Sequence, residues 1–484
     1  MSLRHSRWLV AAGIAGAVMP LVASTAGAAG TTATGPSTVT APYLLPSRDG
    51  VAITSLLTVN DAGKASNGCV RFWDYVRNSD GPAPVAPEDY VPNPQNPFDH
   101  MPPFARFCSG FLSAPGQFLV GPGKDGNGRG QGRGNGKIGY DGQIYFANEE
   151  TGNEGRVFGV TLDGQAYQLP RLGLFSWENT IAAPNTSRTT VVMGNEDAQP
   201  GEIWVYTGTK LKDGSPIDQA GLMNGRNHVI KVPNATTDAA FRSAYPRGTE
   251  APFSLQDIEW DQSGKNQNDE AVREGGLGLN RVEDGAFNPA NKNEYFFLTT
   301  EGGDKTPAAT GSRDGGGLWK LTFEDVEQPQ LGGTLELVLD GSESWGPGEG
   351  APRTNKPDNM MIDRSGNLLI QEDPGGNDHL ARILSYRISD GARGVVARFD
   401  PAKFGATNPA GTTPDTRAVL TTDEESSGII QLADGSYLFD AQVHTPKGLP
   451  AGTGKNTVEE YVENGQLLKM TIASFGPIYA PPAA

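Results

Sequence analysis

One short pattern recurs along this chain and limits what it can fold into: a polar or Gly-bearing turn, then an apolar and aromatic run, then acid at the end of the run. Residues 137–150 (KIGYDGQIYFANEE) end on Glu149 and Glu150, and residues 189–197 (TTVVMGNED) end on Glu196 and Asp197. Residues 294–301 (EYFFLTTE), 367–373 (NLLIQED) and 436–440 (SYLFD) end on Glu301, on Glu372 and Asp373, and on Asp440. Runs this short, rich in β-branched and aromatic residues and bounded by turn formers, read as β-strands. Most are followed by a second strand, at 156–160, 202–206, 317–321 and 382–386. One strand pair cannot bury its own apolar faces, so the repetition implies an all-β protein built as a β-propeller of about six blades with loop insertions. Residues 43–60 read as strand, turn, strand and would complete the last blade. The long gap between Asp197 and Glu301 must hold a further blade or an excursion. Residues 253–283 fit an excursion, and 238–244 a turn or two of helix. A β-sandwich array is the competing architecture, but it gives no reason for acids at equivalent strand ends.

The first residues carry Arg4, His5 and Arg7, residues 8–22 are apolar, and small residues close the segment at Ala28. A basic head, an apolar body too short for a stable span and an Ala-x-Ala site predict an export signal, residues 1–28, and a secreted protein. Cleavage there removes two basic residues and no acid, moving the formal charge from −17 to −19. A chain that acidic repels nucleic acid, and no later segment is long and apolar enough for a membrane span. The expected partner is a small anionic molecule, and the expected state a monomer.

Residues 29–42 read as a disordered lead-in, 43–136 as N-terminal strands with Pro- and Gly-rich loops, 137–475 as the propeller core and 476–484 as a tail. The Gly-rich segment 121–137 lacks the Gly-Lys-Ser/Thr ending and the following helix of a phosphate loop, so it reads as a flexible loop. The two cysteines, Cys69 and Cys108, are expected to form a structural disulfide in an oxidising compartment. A two-cysteine metal site would instead need a partner such as His100.

In a propeller the innermost strands line a central channel, so acids at equivalent strand ends converge on one axis, and converging carboxylates repel unless cations sit among them. The candidate ligands are Glu149, Glu150, Glu178, Glu196, Asp197, Glu283, Glu301, Glu372 and Asp373, each of which could also be a solvated loop acid. Oxygen ligands without a His or Cys cluster favour Ca2+ over Zn2+. Arg281 stands two residues before Glu283, on the same side of an extended backbone, where a guanidinium suits phosphate; an Arg–Glu ion pair accounts for it equally well. Asp358 and Asn359 could add oxygens to the same axis or simply form a turn. There is no nucleophile elbow, and His228, His379 and His444 show no evident Ser and Asp arrangement.

These residues resemble the PhoX-type alkaline phosphatases, a family of secreted bacterial proteins. The likeness rests on Glu149-Glu150, Trp177-Glu178-Asn179, Met193-Gly194-Asn195-Glu196-Asp197, Arg281-Val282-Glu283-Asp284-Gly285, Pro357-Asp358-Asn359 and Gln371-Glu372-Asp373, with residues 43–61 similar to the family's opening. The resemblance implies a six-bladed propeller whose axial iron and calcium cluster hydrolyses phosphate monoesters. It makes Glu150, Glu178 and Glu283 metal ligands and puts Arg281 on phosphate, with Glu196 or Asp197 standing where the family has an acidic pair. The family's iron is held in part by a cysteine shortly before the Glu-Glu strand. Here no cysteine follows residue 108, and Arg4-His5-Ser6-Arg7 stands in place of a twin-arginine motif, so Fe3+ is set aside in favour of Ca2+.

The expected function is therefore a secreted, Ca2+-dependent phosphoric-monoester hydrolase with Arg281 and Glu283 at the reacting centre. Two other classes stay open. One is a calcium-stabilised propeller that binds a ligand without chemistry; the other is a lactonase-like hydrolase with one Ca2+ on Glu150, Asn359 and Glu372.

Overall fold

The computed structural model describes residues 42–59, 107–120, 137–184, 187–302, 316–345, 354, 356–373, 379–404, 424–443 and 464–480. The segments expected to be an export signal and a disordered lead-in, up to residue 41, lie outside them, as do Cys69, His100, the Gly-rich segment up to residue 136 and His444.

Five four-stranded antiparallel units follow one another, the first four with their strands side by side in chain order and the fifth completed by a strand from the N-terminal region. The first contains Phe107–Leu112, Ile144–Glu149, Val157–Thr161 and Ala166–Gln168. The second contains Trp177–Ala182, Thr189–Glu196, Ile203–Thr209 and Arg226–Lys231. Val282–Asn288, Asn291–Thr299, Gly317–Phe323 and Gly333–Leu339 make the third. The fourth is Pro357–Ile362, Asn367–Glu372, Arg382–Arg387 and Arg393–Phe399. Glu424–Gln431, Tyr437–Val443 and Asn464–Ile472 form the fifth, and Val51–Val59 from the N-terminal region is its outer strand. Leu44–Pro46 pairs with the outer strand of the fourth unit, so one short N-terminal stretch ties two neighbouring units together.

The first strand of each unit lies against the first strand of the next, from Phe107–Leu112 round to Glu424–Gln431. That arrangement of meanders about a common axis is a β-propeller. The sequence leads to about six blades; five are complete among the described residues. The excursion foreseen at 253–283 contains a strand, Glu250–Ile258, and a helix, Gly264–Arg273, capped by Ser263. The strand pairs at its end with the second blade and at its start with the third, fusing the two into one nine-stranded sheet. Asp238–Ala244 is a short helix capped by Thr237.

Alternation along the strands builds the core. In the second blade Val192, Trp204 and Tyr206 face the first blade and join Phe146 and Ile144, while Val191, Met193, Ile203 and Val205 face the third and meet Tyr295, Phe297 and Trp319. The third and fourth blades close on Phe296, Leu298, Leu368 and Ile370, and the fourth and fifth on Leu369, Ile383, Phe439 and Met470. A strand buried on both faces reads as a continuous apolar run, which is why the middle strands of the blades stand out in the sequence.

Candidate metal centre

The repeated runs that end in acid are the second strands of their blades, not the innermost ones, which corrects the sequence reading. The inner strands bring their own acids: Glu178 in the second blade, Glu283 and Asp284 in the third, Asp358 in the fourth and Glu425 in the fifth. Residues just beyond the second strands add Glu150 and Asp373. Three trios result, Cys108–Glu150–Glu178, Glu178–Glu283–Asp358 and Asp358–Asp373–Glu425, and within each the ligand atoms lie within 4.8 Å of one another. Glu178 and Asp358 are shared, so the trios form one chain running from the first blade to the fifth.

Each adjacent acid pair divides its labour. Glu149 turns away from the cluster and is gripped by Arg156, through Nε and through Nη2 at 2.7 Å, while Glu150 joins the cluster. Glu372 is held in the same way by Arg382, at 2.9 Å from Nε and 2.8 Å from Nη2, while Asp373 joins the cluster. In the second blade Glu196 accepts from Trp204 Nε1 and Asn268 Nδ2, both at 2.9 Å, and Asp197 goes to Arg281. Among the described residues, then, Glu149, Glu196 and Glu372 are not brought into the cluster as ligands. Of the ligands named in the lactonase-like reading, Asn359 accepts from the Gly428 amide at 2.9 Å and Glu372 is held by Arg382. Glu301 is half-buried and belongs to none of the three trios.

Cys108 overturns the expectation that no thiol reaches the axis. Its Sγ meets Glu150 and Glu178, and it is a free cysteine; its expected disulfide partner, Cys69, lies outside the described residues. Its position ahead of the Glu149-Glu150 strand is the sequence signal for it, masked by the expectation of a disulfide with Cys69. Glu425 was missed altogether. The adjacent acids Glu424-Glu425 at a strand start were its only sign.

Burial and mutual repulsion govern the charges. Burial and then Glu150 push Glu178 up to about 8, despite a 2.5 Å hydrogen bond from Ser109 Oγ. Glu283 is driven well above the usual carboxylate range by burial, then Asp197 and Glu178, and Asp358 by burial, then Glu283 and Glu178. Cys108 reaches solvent, yet the protein packed around it, then Glu178 and Glu150, raise its thiol. Asp284 rises to about 6 through burial, tempered by Asn179 Nδ2 at 2.7 Å and the Met360 amide at 3.1 Å. Acids so arranged either keep protons or give them up to a cation, so the donor set fits a multivalent metal. Arg281 pairs bidentately with Asp197, at 2.9 Å from both Nε and Nη2, and its Nη2 also lies 3.1 Å from Glu283. The ion pair weighed for Arg281 and Glu283 is therefore present. His228 does meet an acid, Asp257, at 2.6 Å, but on the outer strands of the second blade, with Thr207 as its hydroxyl partner.

A propeller whose inner strands gather carboxylates, a thiol and an arginine on one axis defines the class: a β-propeller with an axial metal-type site. Within that class the chain belongs to the family described as alkaline phosphatase PhoX, whose model matches residues 129–444. Pseudomonas fluorescens PhoX in complex with vanadate, a transition state analogue, is similar at 13% identity and a TM-score of 0.46, over 67% of this chain and 59% of that one. This chain thus spans about 59% of that protein's length. α-L-arabinofuranosidase from Lactobacillus brevis gives 11% identity and a TM-score of 0.27 over 70% and 90% of the two chains. Endo-arabinase from Bacteroides thetaiotaomicron VPI-5482 gives 10% and 0.25 over 70% and 91%. No curated protein matches the sequence.

Proposed function

We propose that this protein is a secreted, metal-dependent hydrolase of phosphate monoesters whose cations sit on the propeller axis. The observation that carries the reading is the chain of three trios, joined through Glu178 and Asp358, with Arg281 at its side. Membership of the alkaline phosphatase PhoX family supports the same reaction class.

The donors divide by softness. Cys108 with Glu150 and Glu178 offers a thiolate beside oxygens, which suits iron; the two oxygen-only trios suit calcium. When bound, such cations would supply Lewis-acid neutralisation of the charge on a phosphate ester. The chain's own groups orient the rest. Arg281 would take non-bridging phosphate oxygens with its planar fork, Ser109 holds Glu178 in place, and Thr300 Oγ1 donates to Glu283 beside Arg281. The export signal at residues 1–28 supports a site outside the cytoplasm, checked by the mass of the mature N-terminus.

The test is elemental analysis of chelator-free protein together with turnover of p-nitrophenyl phosphate before and after EDTA. Expected are iron and calcium together, activity lost with the metals, and in Cys108→Ser less iron per chain with calcium retained. Metal-free protein that is folded and unaffected by EDTA would sink the reading. Calcium without turnover would leave a calcium-stabilised binding propeller.

A further inference from the structure

Asp197 sits at the end of the acidic motif in the second blade, yet its carboxylate is spent on Arg281. The loop that carries it is stitched to the approach of the third blade by a pair of backbone hydrogen bonds. Gly201 N donates to Leu279 O at 2.8 Å and Leu279 N to Gly201 O at 2.7 Å. Arg281 N donates to Ala198 O at 2.9 Å, and Asp197 N to Ser176 O at 2.9 Å. Arg281 itself adopts φ 57°, a left-handed conformation unfavourable for a residue with a Cβ. Backbone and side chain thus fix one arginine from two blades at once.

The carboxylates compete for that arginine. Its Nη2 is shared between Asp197 Oδ2 at 2.9 Å and Glu283 Oε1 at 3.1 Å. Nη1 makes no hydrogen bond among the described residues, and the side chain keeps 30% of its surface in solvent. Without Asp197 the guanidinium fork would be free to close on Glu283. That would tie up the Glu283 carboxylate, needed in its trio, and withdraw the arginine from an incoming anion. We propose that Asp197 is a positioning residue, which keeps the Arg281 fork from closing fully on Glu283 and presents its remaining N–H edge to the phosphoryl group of a phosphate monoester. This rests on the reading of Arg281 as the phosphate-binding group and adds what sets its aim.

The experiment compares wild type, Asp197→Asn, Asp197→Glu, Arg281→Gln and the double variant Asp197→Asn with Arg281→Gln. Each is assayed for kcat and KM on p-nitrophenyl phosphate, for affinity for inorganic phosphate by calorimetry, and for metal content. Loss of one charge-assisted contact predicts KM and the phosphate Kd up by about 10-fold in Asp197→Asn, with kcat changed by less than about 3-fold. Asp197→Glu should recover most of that loss. Metal content should equal wild type, and Asp197→Asn should add nothing on the Arg281→Gln background, as expected when one residue acts through the other. An equal penalty on both backgrounds overturns the proposal, as does unchanged phosphate affinity. Metal loss in Asp197→Asn also overturns it, because Asp197 would then be a ligand. A wild type that neither hydrolyses the ester nor binds phosphate removes the phosphatase reading along with it. A wild type that does both while Asp197→Asn is indifferent removes this inference alone.

Discussion

Glu149 and Glu150, Glu196 and Asp197, and Glu372 and Asp373 occupy matching strand ends, and in each pair the first acid is held by a residue of its own blade, Glu196 also by Asn268 of the excursion helix. Alternation imposes the split: neighbours on an extended chain point to opposite sides, so only one can face the axis. For Glu372 the consequence is measurable. Burial alone would raise its pKa, but Arg382 and His379 carry it down to about 2. A folded pKa below the ordinary 4.5 means the pair's stabilisation is complete above 4.5 and is lost as pH falls from there towards 2. Arg382→Met leaves that carboxylate buried without its countercharge and is expected to cost about 3–5 kcal/mol at neutral pH. Denaturant unfolding at pH 7 and pH 3 checks both, with the gap between wild type and variant narrowing at the lower pH. The acids themselves were legible from sequence. Which of each pair reaches the axis was not, because the answer depends on partners seven and ten residues further on, Arg156 and Arg382, and on a register shift at Asn195 and Glu196.

Strands are where the sequence reading assigned a correct unit to the wrong layer. Middle strands are packed on both faces and advertise themselves as apolar runs, whereas the inner strands face one another across the axis and carry Asn179, Thr180, Glu283 and Asp284 among their residues. The inner strand Trp177–Ala182 is seated by aromatic packing: Phe175 stacks on Trp204 at 3.9 Å and meets Trp177 edge-on at 5.0 Å. Gly194 is small because Trp177 lies over it. A Cβ there would stand 2.4 Å from Trp177 Cζ3 and 2.8 Å from Cη2. Gly194→Ala must push the indole aside, at a cost of about 1–3 kcal/mol, and Glu178 is the residue next to that indole. Thermal melting should show the loss, and metal content should fall with it; an unaltered melting temperature would mean the strand absorbs the methyl group freely.

Across the whole molecule, blades that each bury their faces against a neighbour crowd a chain of carboxylates onto the axis. Without cations, Glu178 keeps its proton in the folded state up to about 8 while the unfolded chain has released it above the ordinary 4.5. Metal-free protein should therefore lose stability as pH rises across that window, and bound cations should flatten the loss. Ligand linkage adds about 2.7 kcal/mol for each site held at a hundredfold excess over its Kd. Melting temperatures at pH 5 and pH 8, with and without EDTA, test this. A metal-free protein equally stable at both pH values would count against the crowded-carboxylate picture.

The repeated run of turn, strand and acid was enough to determine an all-β propeller with carboxylates at its strand ends, because two-residue alternation and turn chemistry are local properties of a chain. The Arg281-Val282-Glu283 motif and the N-terminal strand that closes the fifth blade were visible for the same reason. Only the tertiary structure decided that Cys108 turns to Glu150 and Glu178, that Glu425 completes a trio, and that Asp197 holds Arg281. Each of those clusters draws a residue from a neighbouring blade, tens of positions away in the sequence, and such side chains meet only when the ring of blades is assembled.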